Sequence, residues 1–315
     1  MYETMFYSLL YIDEASNQNP NLIAATDPID VYILCACLCS KTFRGAGSSF
    51  RLITNNEAYV KSRLRALRLD DVAVVAYAFA LPVPKNIPFY SAHFKLDIFK
   101  AFGSGTFGGQ TGFVDLDTVL LRRLPSSDAL AVYDISDQVF AAYNRDRVVS
   151  DMEKISGRRL SDARWYGGEF VMGSAAAFCA ISQYVESCWP RYVRCFPTLH
   201  HVGDEIIMSS ALNMARADGV RIIDYKETCL VARWWTARTR HKQEAFDAVR
   251  GAALLHFPAD KVFLAKQARY NFQPELFLSR FRRHAQRKIA LRAILALGES
   301  LIGSPRKFTP VLSSR

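Results

Sequence analysis

The sequence predicts an α/β fold built on a mixed, mainly parallel sheet. Three observations carry that expectation. Short segments rich in aliphatic, aromatic and β-branched residues alternate with longer segments of helical periodicity. Residues 72–79 form a near-continuous apolar run, the pattern of a strand covered on both faces. The chain has 315 residues, 50% of them hydrophobic and 22% charged, enough for one large core.

The elements follow in order. Residues 5–12 read as the first strand, ending at Asp13-Glu14. Asp27 and Pro28 open a helix as N-cap and first helical residue, and Gly45-Ala46-Gly47 closes it after Phe43. Residues 50–54 form a second strand. A short helix follows with Tyr59, Leu64 and Leu67 on one face, and then the buried strand 72–79. This alternation implies right-handed crossovers. Pro82, Pro84 and Pro88 mark an extended connection, and residues 91–102 read as a helix that turns Leu96, Phe99 and Lys100 toward the sheet. The glycine-rich stretch 103–112 has no phosphate-loop pattern and reads as a flexible connection into the strand that ends at Asp115. Later apolar runs at 129–133, 170–172, 221–225 and 252–256 read as strands, with helices at 174–188 and 204–217. The polar, basic stretch 157–165 is expected to be a mobile loop over the site.

Composition narrows the function classes. No run of about 18 apolar residues exists, so no spanning helix is expected. The N-terminus lacks a basic leader, so no signal peptide is expected. Cys35, Cys37 and Cys39 alternate within a predicted helix and cannot face one ion together, so they read as small buried thiols suited to a reducing, cytoplasmic compartment. The net charge is +10, and residues 261–315, with 12 basic and 2 acidic side chains, hold all of it. The preceding body is balanced at 28 of each sign, and no nucleic-acid motif accompanies the charge, so nucleic acid is not an expected partner.

The chemistry-bearing segment is Gly112-Phe113-Val114-Asp115-Leu116-Asp117-Thr118. On extended backbone the Asp115 and Asp117 side chains point the same way, so both can aim at one point where a buried strand leaves the sheet. Two converging carboxylates repel unless a cation lies between them, and Mg²⁺ or Mn²⁺ bridging to a diphosphate is the hard-ion solution. The competing reading is a solvated turn.

Several segments, in order, resemble nucleotide-sugar-dependent glycosyltransferases of the GT-A fold. The likeness is to the retaining family-eight branch of glycogenin-like and bacterial lipopolysaccharide sugar transferases, and more distantly to the blood-group transferases. Ile53-Thr54-Asn55-Asn56 resembles the strand end near the nucleotide, and 113–118 the metal-binding DxD strand. Tyr166-Gly167-Gly168-Glu169-Phe170 resembles the strand lining the sugar pocket. Gly203-Asp204-Glu205 resembles the acidic helix start beneath the transferred sugar, where the commonest form is Asp-Gln. His256-Phe257-Pro258-Ala259-Asp260-Lys261 resembles the closing motif, although the family usually has Gly after the aromatic and Pro-Trp after the Lys.

The resemblance covers residues 5–261 and implies a GT-A catalytic domain, 1–265, with a basic helical tail, 266–315. It implies Asp115, Asp117 and His256 as ligands of Mn²⁺ or Mg²⁺. Thr54, Asn55, Asp115, Gly168, Glu169 and Lys261 would be donor-binding residues, and Asp204 and Glu205 catalytic ones. The implied reaction moves a sugar from a nucleotide-sugar, UDP-sugars foremost, to a glycan, lipid-linked or lipopolysaccharide-type acceptor.

Bland readings stand beside these. His256 could be a hydrogen-bonded core histidine. Asp204 and Glu205 could serve only the helix dipole. Trp234 and Trp235 could be core aromatics rather than a sugar platform. In the tail, residues 277–302 alternate Arg and Lys with Leu, Ile, Ala and Phe, which suits either an anionic membrane surface at the inner face or docking on the body. Two other functions stay open: a sugar nucleotidyltransferase, against which Asp13-Glu14-Ala15-Ser16 stands where a glycine-rich loop belongs, and a non-catalytic adaptor at a membrane surface.

Overall fold

The computed structural model describes residues 3–13, 28–69, 72–237 and 239–302, with side chains to residue 295. The elements run β1 (Met5–Leu10), α1 (Pro28–Gly45), β2 (Ser49–Thr54), α2 (Glu57–Ala66), β3 (Ala73–Ala76), α3 (Lys95–Gly103) and β4 (Gln110–Val114). They continue with β5 (Thr118–Leu120), β6 (Leu130–Asp134), α4 (Ser136–Ala142), α5 (Arg145–Ser156), β7 (Tyr166–Ser174), α6 (Ala175–Cys195) and α7 (Asp204–Ala217). Last come β8 (Ile222–Asp224), β9 (Val231–Arg233), α8 (Phe246–Val249), β10 (Leu254–His256), α9 (Lys261–Gln267) and α10 (Pro274–Ile302).

Among the described residues the main sheet has seven strands in the order β3-β2-β1-β4-β7-β6-β8. β1 pairs in parallel with β2 and β4, β2 with β3, and β6 with β8. β7 lies antiparallel between β4 and β6. The α/β architecture expected from the sequence is therefore present. A second sheet, β5-β10-β9, stands beside it. Its register sets His256 opposite Thr118, and the Phe257 amide donates to Asp117 O at 2.9 Å. Chain segments about 140 residues apart thus meet on neighbouring backbone positions.

Core burial follows the apolar pattern. Phe6, Leu52, Ile53, Phe113, Val114, Val132, Phe170 and Met172 are buried along the sheet. α1 presents Ile33, Cys35, Leu38, Cys39 and Phe43 to it. α3 and α6 cross at Gly103, where a Cβ would lie 2.7 Å from the Cys179 amide nitrogen, so only glycine allows this approach. Ser174 caps α6, its hydroxyl accepting from the Ala177 amide.

Several local expectations change. The strand expected at 72–79 is only Ala73–Ala76, and it is only partly buried, because it forms an edge with β2 as its single neighbour. Residues 91–102 begin as a 3₁₀ turn, Tyr90–Phe94, before α3 starts. Lys100 does not approach the sheet; it is exposed and pairs with Glu186 at 2.7 Å. The lysine that turns inward is Lys95. The stretch 157–165 is tied down: Arg158 bridges to Asp218 at 2.9 Å, Arg216 to Asp162 at 2.6 Å, and Asn213 clasps the Arg164 main chain at 2.9 and 2.7 Å. The proposed N-cap Asp27 and the segment 14–16 lie outside the described residues.

The tail divides along its length. The first half of α10 docks on the body through Phe277, Leu278, Phe281 and Ala285, all buried, with the Phe281 ring centroid 4.1 Å from that of Phe257. Further along, Ile289, Leu291, Ile294 and Leu295 are exposed.

Candidate active site

Asp115 and Asp117 sit on the tight turn that joins β4 to β5, not on extended backbone. The Thr118 hydroxyl closes the turn by donating to Asp115 O at 2.8 Å. From beneath, the Cys39 thiol donates to the Leu116 and Thr118 carbonyls, both at 3.3 Å. The turn still converges the two carboxylates. Together with His256 they offer three ligand atoms within 4.8 Å of one another. Two carboxylate oxygens and an imidazole nitrogen suit a divalent cation of the Mg²⁺ or Mn²⁺ type. Behind the ring, His256 Nδ1 lies 3.4 Å from Glu169 Oε1 while Nε2 faces Asp117 Oδ1 at 3.2 Å. A carboxylate behind an imidazole is the arrangement that orients metal-ligating histidines, so the residues present fit such an ion.

The electrostatics are strongly coupled. Burial would lower the His256 pKa, but the Asp117 and Glu169 carboxylates outweigh it and hold it at about 9. Burial would raise Asp117, yet Lys261 and His256 hold it well below the usual carboxylate range. The Lys261 ammonium contacts Asp117 Oδ2 and donates to Pro258 O at 3.1 Å. Lys261 and His256, at the two ends of one loop after β10, therefore address the same carboxylate.

A second set of contacts joins this cluster to the start of α7. Lys95 Nζ lies 2.9 Å from Asp115 Oδ1 and 3.0 Å from Asp204 Oδ2, and it donates to Gly168 O at 3.2 Å. Burial raises Asp204 to about 6, with Lys95 opposing the rise. Gly168 makes room for this bridge: a Cβ there would lie 2.7 Å from Asp204 Oδ2 and 3.4 Å from Lys95 Nζ. Glu205 accepts from Arg233 Nη2 at 2.7 Å, from Trp165 Nε1 at 3.1 Å and from the Gly168 amide at 3.3 Å. Burial opposes its ionisation, but Arg233 lowers its pKa overall. Arg233 also chelates Glu169 through Nε at 2.7 Å and Nη2 at 2.5 Å.

The structure thus brings Asp115, Asp117, His256, Lys261, Glu169, Asp204, Glu205 and Gly168 into one connected site. Glu169 is wholly buried against Arg233 and His256. Thr54 and Asn55 make their hydrogen bonds elsewhere, at the ends of β2 and β1: the Thr54 hydroxyl accepts from the Asn56 amide, and Asn55 clasps Ile12 N and O at 2.7 and 2.9 Å. Trp234 is a core residue, with its indole donating to Glu244 O at 3.1 Å. The sequence reading places Lys95 on the helix before the Asp115–Asp117 segment but gives neither Lys95 nor Arg233 a role. Each leaves a signal there, a single cation inside an otherwise apolar segment, at Phe94-Lys95-Leu96 and Val231-Ala232-Arg233-Trp234.

No protein-family model matches the chain, and no curated protein does. Among solved structures the chain is similar to the galactosyltransferase LgtC in complex with donor and acceptor sugar analogs. The identity is 11% and the TM-score 0.47, over 85% of this chain and 97% of that one. An active-site mutant of LgtC gives 11% identity and a TM-score of 0.47 over 84% and 96%.

Proposed function

We propose that the chain is a metal-dependent glycosyltransferase of the GT-A type. It moves a sugar from a nucleotide-sugar, a UDP-sugar foremost, to a glycan or lipid-linked acceptor, with retention at the anomeric carbon. The observation that carries the reading is the convergence of Asp115, Asp117 and His256, with Lys261 on Asp117, at the C-terminal ends of β4 and β10. Anion and cofactor sites in parallel α/β sheets lie at such strand ends.

Asp115, Asp117 and His256 would hold Mn²⁺ or Mg²⁺. When bound, the ion supplies charge stabilisation for a departing diphosphate. Lys261 adds a point charge beside the same anion. Glu205 is held by three donors before any substrate arrives, so its carboxylate can steady positive charge at the anomeric carbon without reorganising. Lys95 bridges Asp204 and Asp115, and the absence of a side chain at Gly168 leaves room for that bridge.

The acceptor part of the proposal rests on α10. Among the described residues no helix is long and apolar enough to cross a membrane. Beyond the docked half, exposed Ile289, Leu291, Ile294 and Leu295 stand among Arg282, Arg283, Arg287 and Arg292, a composition suited to an anionic leaflet carrying a lipid-linked acceptor.

Titration of the protein with UDP, with and without Mn²⁺, tests the donor site, followed by hydrolysis of a panel of UDP-sugars. Mn²⁺-dependent binding and slow donor hydrolysis are expected. Binding that ignores Mn²⁺, or none at all, would refute the assignment.

A further inference from the structure

α10 is joined to the body by more than its aromatic face. Asp260, the residue before Lys261, is buried, with no exposed side-chain surface. Its carboxylate accepts from the Thr236 hydroxyl at 2.7 Å, from His284 Nε2 at 2.8 Å and from Lys288 Nζ at 2.9 Å. Lys288 also donates to Ala259 O at 2.9 Å and to the Thr236 hydroxyl at 2.8 Å. The His284 ring stacks on Phe263, 4.5 Å between centroids. Lys288 and His284 lie one helical turn apart on α10, and both aim at the loop 257–261. On its other side that loop is tied to the body by the Phe257 amide on Asp117 O, the Lys261 ammonium on Asp117 and the Cys35 thiol on Lys261 O.

We infer that Lys288 and His284 are positioning residues for Lys261: the C-terminal helix sets where the diphosphate-facing ammonium stands. The physical argument is one of constraint. Lys261 is the first residue of α9, so its main chain moves with the loop before it. The loop carries Pro258, whose ring fixes one of its backbone angles, so it has few alternative paths. If α10 withdrew, its one buried carboxylate would keep the Thr236 hydroxyl but lose both nitrogen partners, and a buried carboxylate without a countercharge drags its loop toward other donors or water. A catalytic cation displaced by about 1 Å loses much of its effect on a charge it must meet at contact distance. Helix 274–288 is on this account part of the donor site, although it lies outside the segment that carries the sequence motifs. The inference rests on the donor-site reading given above.

The test compares wild type, Lys288→Met, Lys261→Met and the double variant by titration with UDP in saturating Mn²⁺. Amide hydrogen exchange over residues 259–264 is measured on the same proteins. Val148→Ala, a core truncation in α5, serves as a control for general loss of stability. Lys288→Met should raise exchange in 259–264 and weaken UDP by about tenfold. The double variant should bind no worse than Lys261→Met, and Val148→Ala should bind as wild type. Unchanged exchange in Lys288→Met, wild-type UDP affinity, or an additive double variant would each overturn the inference. Equal weakening in Val148→Ala would overturn it too, since any destabilisation would then suffice. If wild type itself binds no UDP, the donor-site reading falls and this inference with it, an outcome visible before any variant is made.

Discussion

Arg233 Nη2 donates to Glu205 across 2.7 Å from a position 6% exposed, and the same nitrogen joins Nε in chelating the fully buried Glu169. One cation therefore fixes both the Glu205 carboxylate at the start of α7 and the carboxylate behind the His256 ring. Arg233→Met leaves Glu169 uncompensated in the core. It should cost about 3–5 kcal/mol of stability, the scale for breaking a buried pair by removing one partner, and weaken Mn²⁺ binding as well. Chemical denaturation and an Mn²⁺ titration measure the two effects. A variant of native stability and native Mn²⁺ affinity would show that Arg233 organises neither.

Asp117→Asn should abolish Mn²⁺-dependent UDP binding. It removes a ligand from the three-residue cluster and the partner of Lys261 in one step. Calorimetric titration checks it, and full retention of Mn²⁺-dependent binding would sink the metal assignment.

Gly168→Ala is predicted to leave the fold standing and the chemistry crippled. The added methyl lands 2.7 Å from Asp204 Oδ2, a carboxylate already pinned by Lys95, so the bridge from Lys95 to Asp115 must shift. Transfer should fall by about 100-fold, the scale of a displacement near 1 Å, with the melting temperature little changed. Normal turnover would mean the Lys95 bridge has no part in the reaction.

Glu205→Gln and Asp204→Asn separate chemistry from helix stability. If Glu205 steadies the transition state, its variant should lower kcat while UDP affinity is kept. Steady-state kinetics beside a UDP titration decides it. Normal transfer in both variants would leave these residues only the helix-dipole role.

Stability should fall as the medium is acidified from neutrality, before the carboxylates titrate. His93 is buried, its ring between Phe89 O at 3.0 Å and the Tyr192 hydroxyl at 2.7 Å, and burial lowers its pKa from 6.5 to about 4. Below pH 6.5 the unfolded chain binds a proton that the folded state refuses. The contribution is therefore complete above 6.5 and is lost as pH falls toward 4. The gap corresponds to about 3 kcal/mol. Denaturation midpoints from pH 7 to pH 4.5, wild type against His93→Gln, test it. Parallel curves would remove His93 from the account.

How much of this was legible in the sequence depends on whether the deciding contact is local. The two ends of the site could be read for different reasons: 115–117 because two carboxylates follow an apolar strand at a spacing of two, and 256–261 because its His and Lys resemble the closing motif of a known family. α7 could be read because Gly203 and the acidic pair mark its start at Asp204. β3 was overextended because an apolar run does not reveal which strand has a neighbour on only one side. The roles of Lys95 and Arg233 are not legible because they come from carboxylates 20 to 109 residues away in the chain, and only the fold brings these together. The docking of α10 was equally nonlocal: Phe281 has the same spacing whether it meets Phe257 or a lipid.

That docking also refines the tail's expected behaviour. Deleting residues 291–315 should release the protein from anionic vesicles while stability is kept, since Phe277, Phe281, His284 and Lys288 remain. Cutting after Gln273 should instead destabilise the body. Vesicle sedimentation at low and high salt, beside thermal melts, distinguishes the two. Full-length protein that ignores anionic vesicles at low salt would end the membrane reading.

The thiols beneath the site offer a practical handle. Cys39 lies under the aspartate turn, and Cys35 donates to Lys261 O at 3.4 Å. Both are wholly enclosed, and burial pushes the Cys39 thiol up to about 12. Cys179 and Cys229, by contrast, are open to solvent. A maleimide dye applied to the native protein will therefore decorate Cys179 and Cys229 and spare the floor beneath the aspartate turn. Slow alkylation of Cys39, followed by mass spectrometry, then becomes a clock for how often that floor opens.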